Sequence, residues 1–151
     1  MSGVELVRQE DGGGCGAATL AMIVGCTYNE AKEQIDALTW LNHETGEAEL
    51  KPVDWSDGGG MSAYHLDRAL YAHGFFKQTR YAAWGHDLTA PFAPIHYAMV
   101  VQPSNNSHFV VMLANGDVLD PLCGLTRLDR WEKVNQVCGL VRPVGGGTPR
   151  P

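Results

Sequence analysis

Gln9-Glu10-Asp11-Gly12-Gly13-Gly14-Cys15-Gly16-Ala17-Ala18-Thr19-Leu20-Ala21-Met22 is the stretch on which the reading of this chain turns. Three glycines end in a cysteine, and an apolar run follows. The run from Cys15 to Val24 is almost continuously apolar, which predicts a helix buried on most sides. The cysteine then opens that helix. A helix N-terminus carries about half a positive charge and N–H groups with no partner in the helix, so it favours an anion. A thiolate is such an anion, and it is the nucleophilic form of cysteine. The preceding glycines let the backbone turn sharply and leave room for an incoming molecule. The ordinary alternative for such a cysteine is a small buried packing residue.

A thiolate that attacks a carbonyl needs a base to manage protons. Ser107-His108-Phe109-Val110-Val111-Met112-Leu113 places His108 at the head of an apolar strand, a rigid mount for that role. Asp120 follows twelve residues later, across a predicted hairpin at Ala114-Asn115-Gly116. Side-chain alternation tests whether Asp120 can orient His108. A two-residue Asn115-Gly116 loop sets Asp120 opposite Val111, on the wrong face. A three-residue Ala114-Asn115-Gly116 loop sets it opposite Val110, diagonal to His108 and on the same face, roughly 7–8 Å away between backbones. Asp120-Pro121 also reads simply as a turn that ends a strand. Gln9, six residues before Cys15, completes the set: its amide N–H and the Cys15 backbone N–H are candidate donors to an oxyanion, and such donors are worth roughly 3 kcal/mol each.

The rest of the chain reads as helices first and strands afterwards. Val4 to Gln9 has the character of a short strand. Tyr28 to Leu38 predicts an amphipathic helix with Ala31, Ile35 and Leu38 inward and Glu30, Lys32 and Glu33 outward, capped by Thr27 or Asn29. Residues 41–60 predict a long irregular loop. Ser62 caps a third helix over Ala63 to His73, which Gly74 ends. Strands follow over Phe75 to Ala82, Pro94 to Gln102, His108 to Leu113, Asp117 to Asp120 and Val137 to Arg142. This order indicates an α+β domain with N-terminal helices packed on a C-terminal antiparallel sheet. The expected domain is residues 1–144, with a flexible Gly/Pro tail at 145–151. The three triglycine runs read as unrelated. Trp40, Trp55, Trp84 and Trp131 read as packing residues and His96 as a core-strand histidine. Asp11 is a candidate for positioning the glycine turn, and Cys123 for approaching His108.

The chain has 151 residues, 44% of them hydrophobic and 19% charged, enough for one folded core. A net charge of −6 with no basic cluster argues against nucleic acid. No apolar run reaches the roughly 18–20 residues of a membrane span, and the start lacks a signal-peptide pattern, so the expected location is the cytoplasm. Cys15, Cys26, Cys123 and Cys138 show no paired spacing, and free thiols are expected there. The six histidines form no metal motif, so neither metal nor cofactor is expected.

Gln9, Cys15-Gly16-Ala17-Ala18, Met22, Gly60-Met61-Ser62, Leu66, Ala69-Leu70, Gly74-Phe75, Pro94-Ile95, His108-Phe109-Val110-Val111 and Asp120-Pro121 occur in that order. Together they resemble the bacteriocin-processing, double-glycine peptidase family, a branch of the papain-like cysteine peptidases. The resemblance covers roughly residues 5–122. It implies a papain-like fold, Cys15 as nucleophile, His108 as base, Asp120 as its orienter and Gln9 in the oxyanion hole. The implied activity is hydrolysis of a peptide or isopeptide bond in a peptide or protein substrate. The chain departs from the family in its triglycine run before Cys15 and in its long 41–60 loop with Trp40, His43 and Trp55. It also has a short His108–Asp120 hairpin, and nothing in these residues spans a membrane, whereas the classical members sit on the front of membrane transporters. Two alternatives stay open: the same chemistry used for deamidation, transglutamination or acyl transfer, and a non-catalytic protein, for example a phage or bacterial inhibitor, that grips a host or partner protein.

Overall fold

The computed structural model describes residues 4–50, 52–84, 93–103 and 106–142, with the backbone alone over 78–84. The expected boundary at 144 and the Gly/Pro tail lie outside these residues. Among these residues three α-helices come first. Helix α1 spans Cys15–Val24, and its residues Gly16 to Ile23 are all buried, as its continuous apolar run requires. Gly25, at φ 80°, ends it in the left-handed conformation. Helix α2 spans Tyr28–Asp36. Thr27 caps it: its hydroxyl accepts the Glu30 N–H, and the Glu30 carboxylate accepts the Thr27 N–H in return. Ser62 caps α3, Ala63–Ala72, in the same way with His65.

The second half is one six-stranded antiparallel sheet, in the order β3-β8-β4-β5-β6-β7. Its strands are β3 (Phe76–Trp84), β4 (Ile95–Val101), β5 (Ser107–Leu113), β6 (Asp117–Asp120), β7 (Gly124–Arg127) and β8 (Lys133–Val141). Leu20, Ile35, Leu66 and Leu70 from the helices meet Tyr97, Phe109, Val111 and Leu140 from the sheet in one core. Each such side chain, fully buried, contributes about 1.5–3 kcal/mol. A second cluster, built on Val110, Met112, Val118, Val134 and Trp131, fills the other face. This is the α+β arrangement the element order predicts. Among the described residues no helix is long and apolar enough to cross a membrane.

Four local expectations need correction. Residues 4–9 form no strand; they run along the turn after β6, with Gln9 N–H donating to the Pro121 carbonyl at 3.2 Å and Arg8 to Leu122 at 2.8 Å. The 41–60 segment is not wholly irregular: Thr39–Leu41 (β1) and Ala48–Leu50 (β2) pair as a small hairpin around a turn held by the Asn42 side chain. Strand β7 is additional, and β8 begins four residues earlier than the expected Val137. Two of the triglycine runs are related in space. Residues 12–14 and 58–60 pack backbone against backbone, so close that a Cβ on Gly13 would lie 2.7 Å from the Ser56 carbonyl oxygen.

Candidate active site

The β5–β6 hairpin sets the proton-handling half of the site. Val111 pairs with Leu119 and Met112 with Val118, which is the three-residue-loop register. The Gly116 N–H closes the turn on the Leu113 carbonyl at 2.9 Å, with Gly116 at φ 91°. In this register Asp120 shares a face with His108, and the two side chains meet: His108 Nε2 lies 2.6 Å from Asp120 Oδ1. Both are buried, at 3% and 1% exposure. Asp120 Oδ1 also accepts the Leu122 N–H at 2.8 Å, which fixes the carboxylate from the turn side.

Burial alone would strip the proton from His108 and add one to Asp120. The interactions win in both cases. For His108, burial opposes the charged ring, but the Asp120 carboxylate and the Cys15 sulfur outweigh it and push the imidazole up to about 9. For Asp120, burial raises the carboxyl, but the His108 ring and the Leu122 and Cys123 N–H groups hold it below its usual range. The pair is therefore an imidazolium–carboxylate pair at neutral pH. Nε2 is committed to Asp120, and the Cys15 sulfur is the second side chain that favours the charged ring.

Cys15 comes from the opposite side, at the first residue of α1. Its sulfur accepts the Phe109 N–H at 3.5 Å, which docks the helix start onto the strand that carries His108. The turn before it is built without side chains. Gly14 N–H donates to the Asp11 carbonyl at 3.1 Å and Gly13 N–H to the Trp55 carbonyl at 2.9 Å. Gly14 lies against Tyr28, whose hydroxyl oxygen would be 1.8 Å from a Cβ at that position. These bonds occupy two of the loop's amides. The Cys15 N–H, at the head of the helix, has no carbonyl in its own helix to bind.

Gln9 lies in the same cleft. Its Nε2 donates to the Asp11 carbonyl at 2.9 Å and the Gly12 carbonyl at 3.2 Å, so both amide hydrogens hold the glycine turn. Its Oε1 is buried without a partner. The Gln9 backbone N–H binds Pro121, the residue after Asp120, so Gln9 and Asp120 stand on one piece of scaffold.

The cleft is open and has a volume of about 760 Å³. Gly12, Gly13 and Gly58 to Gly60 line one wall, and Met99, Gln102, Ser107 and Phe109 line the other. Cys15 and His108 lie between them. Sequence reasoning missed the second glycine run and Met61 as cleft residues. It also placed Lys32 outward; Lys32 instead forms a half-buried ion pair with Asp11, Nζ to Oδ2 2.7 Å. Cys123 is exposed, and its backbone N–H, not its thiol, serves Asp120. His96 is fully buried, with one ring nitrogen against the Met112 carbonyl and the other accepting the Ala93 N–H. Among the described residues no three His, Cys, Asp or Glu side chains cluster as metal ligands.

No family model matches the chain, and no curated protein matches it in sequence. Solved structures do match in fold. A double-glycine-motif protease from an AMS/PCAT transporter, in complex with the leader peptide, superposes with a TM-score of 0.58 at 17% identity, over 94% of each chain. The peptidase domain of Streptococcus ComA, a bifunctional ABC transporter involved in a quorum-sensing pathway, gives 0.59 at 18% identity, over 93% of this chain and 99% of that one. Both are papain-like cysteine peptidase domains, and this chain has their α+β fold.

Proposed function

We propose that this protein is a cysteine peptidase or isopeptidase that hydrolyses a peptide bond through a Cys15 acyl-enzyme. The observation that carries the reading is the buried His108–Asp120 pair, 2.6 Å apart, with Cys15 as the ring's second partner at the mouth of an open cleft. A structural histidine gains nothing from standing charged between a carboxylate and a thiol. A thiol catalyst needs that arrangement. The fold shared with the two transporter peptidase domains supports the same reading, and the leader peptide bound to one of them supports a peptide as substrate.

The steps follow from the geometry. The Cys15 thiolate attacks the substrate carbonyl, forming a C–S bond and an oxyanion. The Cys15 N–H donates to that oxyanion. Gln9 joins it by turning one Nε2 hydrogen away from the Gly12 carbonyl, the longer of its two bonds. His108 gives its Nδ1 proton to the leaving amine as the C–N bond breaks. It then takes a proton from the water that attacks the thioester; the C–S bond breaks, the acyl group leaves as a carboxylic acid, and the Cys15 thiolate is restored beside the charged ring. Asp120 keeps the ring oriented throughout.

Turnover of internally quenched peptide libraries by wild type and by Cys15→Ala tests the proposal. Alanine fits the first turn of α1, so that variant keeps its fold and its melting temperature. The expected result is hydrolysis by wild type and a loss of about four orders of magnitude or more in the variant. Hydrolysis that survives in Cys15→Ala contradicts the proposal. So does an inert wild type that binds a partner equally well with or without the thiol, which favours the binding-protein reading.

A further inference from the structure

Tyr28, Lys32 and Asp36 sit four residues apart on α2, so they form one stripe along the helix. Tyr28 and Lys32 hold Asp11 in the first glycine loop, and Asp36 holds Val53 and Trp55 ahead of the second. The Tyr28 hydroxyl donates to Asp11 Oδ2 at 2.9 Å and accepts the Asp11 N–H at 3.2 Å. Lys32 Nζ reaches the same carboxylate oxygen and lies 5.5 Å from the Tyr28 ring centre and 5.7 Å from that of Trp55. Asp36 accepts the Val53 N–H at 2.9 Å and the Trp55 indole N–H at 3.0 Å. Trp55 in turn accepts the Gly13 N–H. The stripe therefore grips the turn before Cys15 through Asp11, and the facing loop through Trp55.

We propose that Tyr28, Lys32 and Asp36 are positioning residues for Cys15, holding residues 11–15 so that the Cys15 sulfur and N–H address the same acyl carbonyl. The proposal rests on the reading of Cys15 as an acyl-forming nucleophile. A triglycine turn has little conformational preference of its own, so something outside it must select one conformation. The stripe does so from the α2 side, beside the Gln9 amide and the facing 56–60 loop. As a stability device, an ion pair as open as Lys32–Asp11 contributes little. As a geometric device it matters more, because an ångström of misplacement at a reacting centre costs up to about a hundredfold in rate. The turn also fixes which donors remain: with Gly13 and Gly14 amides bound to Trp55 and Asp11, an incoming oxyanion meets the Cys15 N–H first.

Two reagents on the full chain separate positioning from reactivity. N-acetylglycine p-nitrophenyl ester acylates a thiolate: the C–S bond forms through an oxyanion, the C–O bond breaks and p-nitrophenolate leaves. Iodoacetamide alkylates the same sulfur, displacing iodide with no oxyanion. Rates at Cys15 are read against Cys15→Ala and by mass mapping. Tyr28→Phe and Lys32→Met are expected to slow acylation about tenfold, the effect of one lost hydrogen bond, and to leave alkylation and its pH profile unchanged. Lys32→Arg, which keeps the charge, is expected to acylate at close to the wild-type rate. Unchanged acylation in both loss variants overturns the proposal. Acylation and alkylation falling together with the melting temperature also overturns it and assigns the stripe a purely structural role. A wild type that acylates no faster than Cys15→Ala sinks the nucleophile reading itself.

Discussion

The two sides of the cleft are built by opposite means. On the sheet side, His108 and Asp120 are charged, buried side chains whose meeting is set by one hairpin register. On the helix side, Cys15 stands at the end of a turn made of backbone, held where glycine lets two loops approach. The sheet side is fixed by what its side chains are. The helix side is fixed by side chains that are missing, and by a stripe on α2 that supplies the contacts glycine cannot. Proton transfer and acyl handling thus depend on different supports, joined at the Phe109 N–H and the Cys15 sulfur and, through Gln9, at the Pro121 carbonyl.

If that division is real, damage to each side has its own signature. After loss of the nucleophile itself, the largest effect is expected from Asp120→Asn. The ring loses the carboxylate that holds it charged and oriented, and turnover falls by about ten-thousandfold. The pH profile changes with it. His108 is raised from 6.5 to about 9, so its proton is held through neutral pH and lost as pH rises through about 9. The alkaline limb of kcat/KM in wild type is accordingly expected near pH 9, and in Asp120→Asn well below it. An unmoved limb detaches the activity from this pair.

Gly13→Ala strikes the other side. Its Cβ would lie 2.7 Å from the Ser56 oxygen and 2.9 Å from the Gly59 carbonyl carbon, both backbone. Forcing the loops apart is expected to cost about 1–3 kcal/mol in chemical denaturation and to lower kcat, while the alkaline limb stays near pH 9. A shift of that limb shows that the halves are not separate. The smallest effect belongs to a residue outside both. Thr27→Ala removes the α2 cap and is expected to cost about 1 kcal/mol in stability. Through α2 it loosens the stripe slightly. A stability loss above about 2 kcal/mol marks α2 as more central to the fold than this account allows.

What the sequence made legible follows the same division. Helix α1 and the His108–Asp120 diagonal are local patterns: an apolar run after glycines, and a side-chain parity that one loop length satisfies. The β1–β2 hairpin was hidden because Leu41 and Leu50 are exposed, so no buried face marks the strands. Strand β7 was hidden because its buried position is Gly124 and its leucine, Leu125, faces solvent, which inverts the usual alternation. The polar start of β8, Lys133-Val134-Asn135-Gln136, masked its first four residues. The meeting of the two glycine runs is a contact between residues some 45 positions apart with no side chains to signal it. Asp11 was legible as a candidate; its partners on α2 were not, since Lys32 on an amphipathic helix reads as a solvent-facing charge.

The central claim is that the two sides meet as a nucleophile and its base, Cys15 and His108. The most direct measurement is the rate of iodoacetamide alkylation at Cys15 against pH, in wild type and in His108→Ala. Peptide mapping separates it from the half-exposed Cys26 and the exposed Cys123. The account predicts fast alkylation at neutral pH in wild type that is lost in His108→Ala. Alkylation at the same rate in both proteins would contradict it.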